Sequence, residues 1–214
     1  MQDKFQGYPV RILVTAGPTR EYIDDVRFIS NPSSGKMGYA IAAEGRRRGH
    51  DVHLLSGPVC LEPPVGVKVS HFESAEELYN LVNDSLPKAD CLIMAAAVGD
   101  YRPVRRISGK HKKGESLTLE LAANRDVLAS VAGLKSGKIF VGFAVEVKDA
   151  VGNARKKVKA KGLDFVVLNS PASFGAERAE FTFVFSDGSV RPLGTTAKSA
   201  MAGEILDAVE RLWT

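Results

Sequence analysis

This 214-residue chain has only two cysteines, one tryptophan and no long apolar run. Cys60 and Cys91 make neither a disulfide framework nor a CxxC pair, which fits a reducing compartment and hence the cytoplasm. The longest apolar run, residues 91–98, is far short of the ~20 residues that span a bilayer, so no membrane association is expected. Met1 to Tyr8 is polar and lacks the apolar core of a secretory leader. His50, His53, His71 and His111 are scattered, so no His/Cys cluster has metal-ligand spacing and no metal site from protein is expected. Two phosphate-binding signatures are also missing. No G-x-G-x-x-G follows the first apolar strand, and no G-x-x-x-x-G-K-[ST] occurs. The first absence weighs against an NAD(P) reductase or epimerase, which would also want a Tyr-x-x-x-Lys pair. The one spacing to inspect starts at Tyr101 and ends on Arg105. A nucleic-acid module would interleave aromatics with its basic residues for stacking, and "RRISGKHKK" has none.

What remains is an ordinary globular composition, 44% hydrophobic and 25% charged, long enough for one sizeable domain. The net charge of +4 suits an acidic partner, and a phosphate-rich small molecule meets that condition as well as nucleic acid does. Apolar runs alternate with amphipathic stretches. Residues 11–17, 51–57, 67–72, 89–98, 138–146 and 164–169 read as strands. Residues 34–49, 74–86, 149–161 and 196–213 read as helices. Ser74, with Glu77 three residues on, has the spacing of a capping box. Near-continuous apolar strands between helices imply a parallel sheet covered on both faces, hence an α/β, Rossmann-like, doubly wound fold. Residues 117–121 alternate like an exposed strand. "EFTFVFSDGSVRPL" alternates around Asp187-Gly188 and predicts a small β-hairpin extension. Residues 99–116 are polar, basic and aperiodic, and read as a mobile loop. No repeat or linker divides the chain, so residues 1–214 are expected to form one domain.

In such a sheet, ligands sit beyond the carboxyl ends of the strands. Gly17, Asn31, Gly57, Gly99 and Phe143 fall at or just past those ends. The stretch "FISNPSSGKMGYA" stands out there. Helix capping takes one short polar residue, whereas Asn31, Ser33, Ser34 and Gly35 crowd the start of the first long helix. Free N–H groups at a helix start attract phosphate or carboxylate. Hydroxyls add donors, and glycine admits close approach. Asn31 offers both a donor and an acceptor, which suits a group changing from carboxylate to acyl derivative. The bland alternative is a serine N-cap among turn residues.

"VTAGPTREYIDDVRFISNPSSGKMGYA", "LLSGPV", "MAAAVGDYRP", "KHKK" and "VGFAVE" occur in this order. Together they closely resemble phosphopantothenoylcysteine synthetase, the phosphopantothenate–cysteine ligase of coenzyme A biosynthesis, over nearly the whole chain. The resemblance implies that 4′-phosphopantothenate attacks the α-phosphate of a nucleoside triphosphate, CTP or alternatively ATP. Pyrophosphate leaves with Mg²⁺ assisting, and L-cysteine then takes the acyl group. It also implies a homodimer and a partner, phosphopantothenoylcysteine decarboxylase, often fused ahead. Nothing of that domain precedes Met1, so a free-standing or excised synthetase is expected.

Site roles carry over residue by residue. The resemblance makes Asn31 and Lys110 catalytic, Lys110 being the loop lysine that reaches the triphosphate. It assigns the nucleotide to Ala95, Ala96, Asp100, Lys110, Asn124, Arg125, Asp126, Val127, Phe143, Lys157 and Lys161. The last two lie four apart and share a helix face. The substrate falls to Gly17, Asn31, Ser33, Ser34 and Gly35. The chain departs from the family at Gly99, at Arg125 where proline is usual, at Leu168-Asn169-Ser170 and at Glu177-Arg178-Ala179. Those departures bear on base choice and pocket shape more than on reaction class.

Overall fold

The apolar run after Val10 forms β1 (Arg11–Ala16), with five of its six residues buried. The structure, a computed structural model, describes residues 8–114, 116–146, 148–170 and 178–213. A short hairpin follows, β2 (Arg20–Tyr22) and β3 (Phe28–Ser30), and leads through residues 31–35 into α1 (Lys36–Arg48). Next come β4 (Asp51–Ser56), β5 (Lys68–His71), α2 (Ala75–Ser85) and β6 (Cys91–Met94). Two three-residue strands, β7 (Tyr101–Pro103) and β8 (Leu121–Ala123), pair antiparallel, and α3 (Val127–Val131) follows them. The chain continues through β9 (Ile139–Val145), α4 (Ala150–Lys161) and β10 (Phe165–Asn169). A long hairpin, β11 (Arg178–Phe185) and β12 (Val190–Ala197), and α5 (Lys198–Trp213) complete it.

Eight strands form one sheet in the order β12-β11-β10-β9-β6-β1-β4-β5. From β10 to β5 every pairing is parallel. The chain enters at β1, winds outward through β4 and β5, then crosses back to β6, β9 and β10. The winding therefore reverses between β1 and β6, and a crevice opens at their carboxyl ends. Alternate residues of β1 serve opposite faces, as strand geometry requires. Ile12, Val14 and Ala16 join Ile41 of α1 and Ile205 and Val209 of α5. Leu13 joins Leu78 of α2, Val131 of α3 and Val158 of α4. The expected doubly wound sheet with helices on both faces is present, and the late hairpin extends it as two antiparallel strands. Pro192 sits on the outermost strand, where a missing N–H costs no ladder bond. No described helix is long and apolar enough to cross a membrane.

The differences are local. Helix α1 starts at Lys36 rather than at residue 34. Its N-cap is Gly35 in the left-handed region (φ +75°), and no side chain caps it. Neither serine acts as the cap. Ser74 does cap α2, accepting from the Glu77 amide at 3.2 Å, while Glu77 reaches back to the Glu73 amide at 2.8 Å. The aperiodic stretch 99–116 contains β7, and the strand expected at 117–121 lies instead at Leu121–Ala123. The β2–β3 hairpin was not signalled at all. Strands of three residues are too short to show a period of two.

Helix α1 crosses the end of β1 at van der Waals range. A Cβ on Gly38 would stand 2.5 Å from Ala16 Cβ and 2.9 Å from the Thr15 carbonyl. Because the obstacle includes backbone, the neighbour cannot swing away. We expect Gly38→Ala to destabilise the fold by about 1–3 kcal/mol, as overpacking does. Gly133→Ala, with nothing within 4 Å, should change little; chemical denaturation reads both.

Candidate active site

The crevice past β1 and β6 opens into a cleft of about 690 Å³, within the usual range for small-ligand sites. Backbone stitching fixes its rim. The Thr19 amide donates to the Ala97 carbonyl at 3.2 Å, and the Ala97 amide to the Gly17 carbonyl at 2.9 Å. Three buried polar side chains reinforce this, of which only Thr19 lies in a loop that the sequence places at the strand ends. Thr15 Oγ1 accepts the Ala96 amide at 3.0 Å, Thr19 Oγ1 accepts the Gly99 amide at 2.8 Å, and Glu21 Oε1 accepts the Ala75 amide at 3.0 Å. Their only sequence signal is a polar residue inside or just past an apolar strand.

Asn31 follows β3 directly. Its Nδ2 donates to the carbonyls of Ala97 (3.2 Å) and Val98 (3.0 Å). Two carbonyl neighbours require the NH₂ group there, so the orientation of the carboxamide is fixed. Oδ1 is then the atom offered to a ligand, as an acceptor. Beside it, Ser33, Ser34 and Gly35 line the cleft, as do Lys36, Met37 and Gly38 of the uncapped first turn of α1.

The opposite wall carries the charge. Lys157 is half-buried, and its Nζ donates to the Phe143 carbonyl at 2.6 Å. Burial, with repulsion from Lys161, holds its pKa below the usual lysine range. Lys161 pairs with Asp126 at 2.7 Å. Burial works against the Asp126 carboxylate. The Lys161 hydrogen bond, the Ala129 amide and both lysine charges outweigh it and keep its pKa low. Asp126 also caps α3 by accepting that amide at 3.1 Å. Arg125 lies over the Tyr79 ring, 4.1 Å from its centroid.

Most of the expected residues converge here. Ala95, Ala96, Asp100, Asn124, Arg125, Asp126, Val127, Phe143, Lys157 and Lys161 all line the cleft with Asn31 and the serine loop. Some do so with their side chains already committed. Asn124 Nδ2 bonds the Gly99 carbonyl at 2.8 Å while its Oδ1 accepts from Arg102 at 3.1 Å. Asn169, Phe181 and Lys198 line it too; of these, only Asn169 falls among the departures from the family pattern. Two expected residues lie elsewhere. Gly17 sits behind the wall with φ +82°, where a Cβ would press on Val59 and Gly57. Its smallness serves a close backbone approach. Lys110 is exposed and off the cleft wall. The Asp126 pairing and the Asn31 carbonyl contacts had no sequence signal. Of the departures, Glu177 lies outside the described residues.

The chain matches the family described as "DNA/pantothenate metabolism flavoprotein C-terminal domain" over residues 8–212. It is 43% identical over 215 residues to the coenzyme A biosynthesis bifunctional protein CoaBC of Mycobacterium tuberculosis, covering 93% of this chain and 51% of that protein. The chain thus spans about half the length of that relative. The crystal structure of the C-terminal domain of a CoaBC superposes with TM-score 0.83 at 37% identity over 95% of both chains. A Cab2 variant in complex with phosphopantothenate-cysteine shares the fold, with TM-score 0.77 at 15% identity over 95% of this chain and 87% of that one. With its family-wide match and its near-complete coverage of a solved relative, the chain belongs to the family of DNA/pantothenate metabolism flavoprotein C-terminal domains.

Proposed function

We propose that this domain is a phosphopantothenate–cysteine ligase of coenzyme A biosynthesis. It joins 4′-phosphopantothenate to L-cysteine through an acyl-nucleotide, acyl-CMP if the nucleotide is CTP, and releases pyrophosphate and the nucleoside monophosphate. One observation carries the reading: a single cleft holds Asn31 and the uncapped start of α1 on one side and two lysines on the other. The first step brings two anions together, a carboxylate and a triphosphate. Fixed positive charge in a partly dry site offsets their repulsion and the charge gathering on pyrophosphate. Lys157 and Lys161 supply it, with the N–H groups of the α1 start. In the second step the amine of cysteine must approach the acyl carbon. Asn31 Oδ1, an acceptor, suits an N–H of that amine. Mg²⁺ would enter on the phosphates and neutralise part of their charge. Of the two cleft acids, Asp126 is already paired, so Asp100 is the carboxylate that could share the ion.

CTP is proposed ahead of ATP, and a homodimer and a fused or separate decarboxylase partner are proposed with it. The bifunctional CoaBC relatives and the Cab2 complex, whose own ligand is phosphopantothenate-cysteine, support the reaction class, while CTP and the homodimer rest on the sequence resemblance. Pyrophosphate release measured with CTP or ATP tests the reading. It should require phosphopantothenate, and release that ignores phosphopantothenate contradicts the proposal.

Asn31→Asp replaces the NH₂ with oxygen facing two carbonyls. We expect amide formation to slow by about 10–100-fold, the scale of a lost buried hydrogen bond, with pyrophosphate release less affected. Mass spectrometry of the quenched reaction should then show accumulated acyl-nucleotide.

Lys157 must be charged to hold phosphate, yet its pKa is held below the usual lysine range. Above that lowered pKa the free protein loses the proton first, so nucleotide affinity should fall as the pH rises into the alkaline range. In Lys157→Met, affinity should drop roughly 10–100-fold and the alkaline fall should vanish. Calorimetric titration across pH measures both.

A further inference from the structure

The segment that carries Lys110 is tied to the tip of the β2–β3 hairpin. The Asp25 carboxylate accepts from the Gly109 amide at 2.8 Å and from the Arg106 guanidinium at 2.9 Å. The Asp25 amide donates to the Gly109 carbonyl at 3.2 Å, and the Ile107 amide to the Ile23 carbonyl at 2.8 Å. On the other flank, Asp24 accepts the His111 amide at 3.0 Å. Arg27 pairs with Asp24 and donates to the His111 carbonyl at 2.7 Å. Asp24 is fully buried, and the Arg27 hydrogen bond holds its carboxyl well below the usual carboxylate range. Both peptide neighbours of Lys110 are thus held at N–H and at C=O. Lys110 itself points into solvent, off the cleft that collects the other cations.

We propose that Asp25 is a positioning residue for Lys110: it parks the lysine segment on the hairpin in the unliganded protein, and that contact must break before Lys110 reaches the triphosphate. This rests on the ligase reading. A triphosphate and the two aspartates compete for the same cationic segment. Gly109, at φ +73° with nothing within 4 Å of its would-be Cβ, leaves room for a hinge. The parked segment hangs from the hairpin that runs into Asn31, so its release occurs beside the reacting carboxylate. The two aspartates divide the work. Asp24 also accepts the Val26 and Arg27 amides at 2.8 Å each and so shapes the turn. Asp25 is exposed, and its side chain bonds only the segment among the described contacts.

Asp25→Ala and Asp25→Asn, with Asp25→Glu as the conservative variant, test this on the full chain. Hydrogen exchange over residues 106–111 should quicken in the first two. Their half-saturating CTP should fall about threefold to tenfold, the scale of surface charge-assisted bonds, at unchanged kcat, and Asp25→Glu should restore wild-type values. Faster exchange with unmoved or raised half-saturation overturns the proposal, and so does a loss of kcat. Lys110→Ala run alongside separates the two levels. Loss of turnover there, with the Asp25 variants unmoved in half-saturation, overturns the parking role alone. Wild-type turnover without Lys110 overturns both the parking role and the triphosphate contact that the sequence resemblance assigns to that lysine.

Discussion

The cleft hangs on a contact between backbones. Helix α1 can reach the end of β1 only because Gly38 leaves room above Ala16 and the Thr15 carbonyl. A Cβ on Gly35 would lie 3.0 Å from Val59 Cγ1, and one on Gly57 would lie 2.2 Å from the Pro18 carbonyl. Interiors packed to crystal density do not absorb an extra methyl group at such places. This close approach brings the start of α1 to the rim, where it joins the Ala95–Ala97 turn stitched to β1 by Thr15 and to the loop after β1 by Thr19. Asn31 is then held against the same turn through the Ala97 and Val98 carbonyls.

On that frame, the electrostatics divide into a resting part and an unspent part. Asp126 and Lys161 answer each other at 2.7 Å, and an exchange of partners there costs less than stripping a bare ion. Lys157 is different. Its ammonium is met by a carbonyl, and its charge is disfavoured by burial and by Lys161. A group in that condition gains most from an incoming anion. The acidic hairpin tip holds the segment around Lys110 through the Gly109 and His111 amides, and the proposed parking would set it in competition with the triphosphate.

The sheet was legible because its strands are long enough to show uninterrupted burial, as Cys91–Met94 and the first four residues of Phe165–Asn169 do. Ser74 and Glu77 were legible because a cap is a local bond between near neighbours. The hairpin β2–β3 and the pair β7–β8 were not, since three-residue strands carry no period. At the site, the resemblance named residues that do converge, including Lys157 and Lys161. It could not say how they are spent. The Asn31 amide bonds its nearest carbonyls across 66 and 67 residues of chain, and His111 meets Asp24 across 87. Contacts of that range depend on the fold and have no local pattern. Gly17, which reads as a ligand-loop glycine, also gives the chain room to turn against Val59 and Gly57, a contact with no local pattern.

The most direct measurement is a crystal structure with a non-hydrolysable CTP analogue and 4′-phosphopantothenate bound together. The phosphates are expected between the α1 start and Lys157, with the pantothenate carboxylate facing the α-phosphorus next to Asn31. Phosphates bound away from Lys157, or a carboxylate remote from Asn31, would contradict that arrangement.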